Sequence, residues 1–66
     1  MSRQSIIQGI NYNLNRLRTC HLTTEERQRI ENDIIINIYD HQIDTVELDE
    51  PVQAEAIIQA RVLRRA

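Results

Sequence analysis

The stretch Thr23-Thr24-Glu25-Glu26-Arg27-Gln28-Arg29-Ile30-Glu31-Asn32-Asp33-Ile34-Ile35-Ile36-Asn37-Ile38-Tyr39 decides the fold. It opens with Thr23 and, three residues on, Glu26. In this capping box the hydroxyl satisfies one free amide of the first turn and the carboxylate reaches back to another. Ile30, Ile34 and Ile38 then recur every fourth residue, with no Gly or Pro between them. Cap and period together predict a helix over about residues 24–39. The segment from Ile34 to Tyr39 is rich in the β-branched and aromatic residues that strands also use. Helix is preferred, because Glu25 to Asp33 favours helix strongly and no breaker separates the two halves.

The same stretch carries the candidate interface. Ile30, Ile34 and Ile38 form one inner stripe. Ile35 and Tyr39 lie about 100° around from Ile34 and Ile38, and Ile36 lies further still. One neighbouring helix does not cover so wide an apolar surface. Ile35, Ile36 and Tyr39 are therefore the residues expected to meet a second subunit or another protein.

Before the capping box, Ile6, Ile7, Ile10, Leu14 and Leu17 share one stripe and predict a helix over about residues 3–18. Ser2 or Ser5 can cap its start, and Arg16 and Arg18 suit the negative end of its dipole. Leu22 can staple the following cap, against the Arg27 stem or Gln28.

After the deciding stretch, His41 to Glu50 reads as a loop with one turn or a short extended piece around Thr45–Leu48. Asp49, as cap, followed by Glu50 and Pro51, starts a helix over about residues 50–65. Its expected inner face is Val52, Ile58, Val62 and Leu63, with Ala56 at the edge. Ala54, Ala56 and Ala60 allow close helix approach. The fold class is all-α: a single domain over residues 1–66, built as a small bundle of three amphipathic helices. The alternative is a two-helix hairpin whose third helix packs on a symmetry mate.

Size points to self-association. A chain of 66 residues gains little stability from its own core. Disulfides within it are excluded, because Cys20 is the only cysteine. A dimer or higher homo-oligomer is the expected way to complete the core. Its aliphatic material is mostly isoleucine, with no Phe or Trp and only Tyr12 and Tyr39 as aromatics. The net charge of −2 hides segregation: residues 1–22 carry +3, residues 23–60 carry −8 and residues 61–66 carry +3. Basic ends around an acidic middle suggest antiparallel or head-to-tail pairing, or two basic patches.

Several classes are disfavoured. No apolar run approaches a membrane span, and the N-terminal residues do not form a signal-peptide core. With one unpaired cysteine, the chain reads as cytoplasmic. Cys20-His21 with His41 is the only metal-like set, but adjacent ligands on a turn point apart. A small buried thiol beside a loop histidine is the preferred reading, so no metal or cofactor is expected. Catalytic residues are likewise expected to be none. Cys20 lacks an oxyanion motif, and Asp33 with Asp40, or Glu47 with Asp49 and Glu50, read as solvated surface or caps.

Thr45-Val46-Glu47-Leu48-Asp49-Glu50-Pro51-Val52 before a helix resembles the strand and first helix of a ribbon-helix-helix repressor. The strand is acidic where that family is basic, and the chain has no room for the second helix. The resemblance therefore carries no function.

The function expected is that of a small acidic, non-catalytic regulator, adaptor or inhibitor. It binds another protein and acts as a helical homo-oligomer, in the manner of accessory proteins carried by phages and mobile elements, by analogy alone. The alternative is a small DNA- or RNA-binding protein contacting phosphates or bases through Arg61, Arg64 and Arg65.

Overall fold

The structure, a computed structural model, describes residues 2–65, with side chains described through residue 63. Its helices are α1 (Arg3–Thr19), α2 (Thr24–Asp40) and α3 (Pro51–Arg65), and no strand occurs among the described residues.

Each helix is set by a local device. Ser2 caps α1 by accepting the Ser5 amide at 3.3 Å. At the start of α2 the capping box is complete: Thr23 Oγ1 accepts the Glu26 amide at 3.1 Å, and Glu26 Oε1 accepts the Thr23 amide at 3.2 Å. The β-branched run stays helical to Asp40. There the chain turns through Gln42, whose φ of 51° is in the left-handed region. The Ile43 amide donates to the Ile38 carbonyl at 2.9 Å, and the Gln42 amide to that of Tyr39 at 3.4 Å. This is the Schellman arrangement, in which the residue after the turn folds back onto the helix it leaves. Ile43 and Ile38 accordingly share the core.

The linker takes the first of its two expected forms. Around Thr45 the chain is a 3-10 turn (Thr45–Glu47), not an extended piece, so the outline of a ribbon-helix-helix strand is absent. Asp44 Oδ1 accepts the Val46 amide at 3.2 Å and Glu47 Oε2 accepts the Asp44 amide at 3.1 Å. Carboxylates that bond amides two or three residues away offer the backbone a turn in place of a ladder. The cap of α3 also shifts by one residue. The Ala54 amide donates to the Glu50 carbonyl at 3.1 Å, which puts Glu50 at the cap position, while the Asp49 amide donates to Asn11 Oδ1 at 2.9 Å.

α1 and α2 run antiparallel. Arg27 Nη2 near the start of α2 meets the Leu17 carbonyl near the end of α1 at 3.5 Å. At the other end, Arg3 Nη1 meets the His41 carbonyl at 3.1 Å. Their facing stripes, Ile10, Leu14 and Leu17 against Ile30, Ile34 and Ile38, form the core with Ile43, Leu48 and Ala54. Leu22 is half-buried and packs against this core. α3 begins over α1, where Gln53 Nε2 donates to the Leu14 carbonyl at 3.3 Å. It ends over α2, where the Arg61 guanidinium donates to Asn32 Oδ1. Part of the charge segregation is used within the chain: Arg3 pairs with Glu47 and Arg18 with Glu50, each at 2.6 Å.

The inner face of α3 is not the one expected. Ala54 is fully buried and Ile57, Ile58 and Arg61 are half-buried, whereas Val52 is 80% exposed, Leu63 73% and Val62 56%. At about 100° per residue, Val52 and Leu63 lie on the side opposite Ala54 and Ile58. The helix therefore has two aliphatic stripes, where periodicity alone merged them into one.

Candidate functional site

The C-terminal half of α2 and the last turns of α3 enclose an open groove of about 340 Å³, lined by Ile35, Ile36, Tyr39, Asp40, Arg61 and Val62. α2 places its residues by helical spacing. Ile35 and Tyr39 are one turn apart on the α3 side, and Ile36 stands one residue further around. Ile35 is corrected from surface to interior: it is buried at 7% exposure and lies outside the central core cluster. Ile36 and Tyr39 stay open to solvent, at 53% and 61%. The groove thus combines one buried isoleucine with two exposed apolar side chains and one charge of each sign, Asp40 and Arg61.

All three interface residues named from sequence meet in this groove, together with Arg61 from the nucleic-acid set. Asp40 and Val62 were missed. Val62 was assigned to the core, and Asp40 is simply the next residue after Tyr39, with no pattern to mark it. Arg61 is half-buried, its guanidinium held by Asn32. The side chains of Arg64 and Arg65, the rest of that set, lie outside the described residues.

The other candidate groups do not assemble. Among the described residues no three His, Cys, Asp or Glu side chains gather as a metal site. Cys20 is exposed at the end of α1, which corrects the expectation of a buried thiol. Asp40 lines the groove, whereas Asp33 lines a separate hollow of about 230 Å³ with Arg16, Glu26, Arg29 and Ile30. Glu47 and Glu50 serve as ion-pair partners of Arg3 and Arg18. The Arg3 guanidinium first, and the Asp44 amide second, hold the Glu47 carboxyl below its ordinary value. The Thr23 amide and then its hydroxyl do the same for Glu26. Both shifts belong to braces of the fold. No helix among the described residues is long and apolar enough to cross a membrane.

Comparison of the chain with protein-family models, with curated proteins and with solved structures finds no match.

Proposed function

We propose that this protein is a non-catalytic, protein-binding regulator, adaptor or inhibitor that acts as a helical homo-oligomer in the cytoplasm, and that the α2–α3 groove receives its partner. One observation carries the reading: Ile36 and Tyr39 remain exposed beside a buried Ile35, in a groove rimmed by Asp40 and Arg61. Aliphatic and tyrosine side chains in a concave setting are the usual anchors of protein interfaces. Tyrosine adds a polar tip to a large apolar body. Flanking charges of opposite sign orient a partner and reject like-charged competitors. The chemistry suits an apolar side chain of another protein, seated between an acidic and a basic neighbour. An exposed, unpaired Cys20 thiol suits a reducing compartment.

The test is a capture experiment from the native host with the wild-type chain and the Ile36→Ser/Tyr39→Ser variant. The variant should keep its helical circular dichroism and its thermal midpoint while losing the proteins that the wild type retains. A variant that unfolds would make these residues core and remove the groove as a binding surface. A titration with duplex DNA supplies the opposing outcome. Tight binding that weakens steeply with salt and ignores the double substitution would replace this reading with nucleic-acid binding.

A further inference from the structure

α3 has a second apolar face that none of the described residues covers. Val52, Ala56, Ala60 and Leu63 are all exposed, at spacings of four, four and three residues. At about 100° per residue these positions fall within one stripe about 80° wide. The middle of that stripe is small: Ala56 and Ala60 would let another helix approach closely, between the larger Val52 and Leu63.

Charge selects the occupant. The N-terminal end of α3 is acidic, with Asp49 and Glu55 beside Glu50, which pairs with Arg18. Its C-terminal end is basic, with Arg64 and Arg65 in the sequence, while Arg61 is turned inward onto Asn32. A helix so polarised is complementary to itself when reversed. Antiparallel pairing sets acid against base at both ends and opposes the two helix dipoles, whereas parallel pairing stacks like charges. We infer that the outer face of α3 takes a second copy of this chain, its α3 antiparallel to the first about a two-fold axis near residues 57 and 58. Val52 then lies against the partner's Leu63, and Ala56 against the partner's Gln59. A two-fold axis makes each such contact twice, as expected for a closed dimer. The inference rests on the homo-oligomer of the proposed function and names the face that forms it, leaving the α2–α3 groove free for a different protein.

Sedimentation equilibrium at micromolar concentration tests it with three proteins. The wild type should be a dimer. Val52→Ser/Leu63→Ser, which changes only exposed side chains, should raise the dimer dissociation constant by about a hundredfold or more, because each loss counts twice. Ile36→Ser/Tyr39→Ser should leave it unchanged. A monomeric wild type would overturn this inference and the self-association of the proposed function together. A dimer lost with Ile36→Ser/Tyr39→Ser and kept with Val52→Ser/Leu63→Ser would overturn the inference alone. Orientation is read by oxidation in a Cys20→Ser background. Val52→Cys mixed with Leu63→Cys should form a disulfide-linked heterodimer, and neither protein alone should link. Linkage within each single variant would mean parallel packing and would sink the proposal.

Discussion

The α1–α2 hairpin and α3 draw on the same aliphatic alphabet at the same three- and four-residue spacings, yet the two regions treat those residues differently. In the hairpin, Ile10, Leu14 and Ile34 are fully buried, Leu17, Ile30 and Ile38 nearly so, and Ile6 and Ile7 at the open end of α1 are half-buried. In α3, Val52 and Leu63 are 80% and 73% exposed and Ile57 and Ile58 only half-buried, while small Ala54 is fully buried. The difference lies in polar anchors. Gln53 reaches the Leu14 carbonyl, Asp49 gives its amide to Asn11, Arg18 pairs with Glu50, and Arg61 holds Asn32. These contacts rotate α3 so that Ala54, Ile57, Ile58 and Arg61 face inward. Periodicity chooses the element. Where a helix has two apolar stripes, groups distant in sequence choose which one is core.

The largest expected effect breaks the two regions apart directly. Ile34→Ala should destabilise the fold by about 2–5 kcal/mol, the range for removing a buried aliphatic side chain and leaving a cavity. Leu63→Ala, read in the folding of the isolated chain, should stay within about 0.5 kcal/mol, as for an ordinary surface position. Denaturant midpoints at concentrations low enough to hold the chain monomeric check both. Comparable losses at the two sites would mean that the outer stripe of α3 is core, and the contrast would collapse.

Legibility in the sequence followed the same division. All three helices were readable because each has a local start signal: Ser2 or Ser5, the Thr23–Glu26 box, and Asp49-Glu50-Pro51. At Thr45–Glu47 a turn and an extended piece stayed open, since the turn depends on Asp44 and Glu47 bonding nearby amides in a stretch whose residue types also suit a strand. The end of α2 was readable to within one residue, but the turn that follows was hidden, because Gln42 takes the left-handed position that Gly or Asn usually marks. Within the candidate site, the positions of Ile36 and Tyr39 followed from α2 alone. The burial of Ile35 and the arrival of Arg61 and Val62 did not, because they depend on how α3 is rotated and where it crosses α2.

The two ends of α2 sharpen the comparison at about a tenth to a half of that first effect, and with opposite signs. Thr23→Ala removes the acceptor for the Glu26 amide and should lower stability by about 1 kcal/mol, with Glu26→Ala costing less. Gln42→Gly should raise it by about 0.5–1 kcal/mol, because the Cβ penalty that glycine avoids at φ near 51°, about 1–2 kcal/mol, exceeds the cost of the extra freedom it loses on folding. Urea midpoints measured side by side decide. A Gln42→Gly variant no more stable than wild type would show that α2 does not turn through a left-handed residue there. The hairpin would then owe its burial of Ile43 to something other than this turn.

The smallest effect concerns the brace that ties α1 to the linker ahead of α3, and it is read through pH. Arg3 Nη2 meets Glu47 Oε2 at 2.6 Å, and the same guanidinium donates to the His41 and Gln42 carbonyls at 3.1 and 3.4 Å. Glu47 therefore titrates below its ordinary value of 4.5 in the folded chain. A carboxyl whose folded value is depressed binds fewer protons folded than unfolded near that pH. Its contribution is fully present above the ordinary value and is lost as pH falls through the folded one. Glu26, depressed by the Thr23 amide, acts in the same direction at the other end of α2. Arg3→Met removes the first cause at Glu47 and leaves Glu26 untouched. The variant should be less stable than wild type at neutral pH, and the gap should narrow as pH falls below 4.5, because the wild type then loses the pairing that the variant never had. Stability curves from pH 7 down to pH 3 measure the gap. A gap that stays constant with pH would assign the Arg3 brace to the two carbonyls at the end of α2. The attachment of the linker would then rest on backbone acceptors, and Glu47 would serve only the local turn it closes with Asp44.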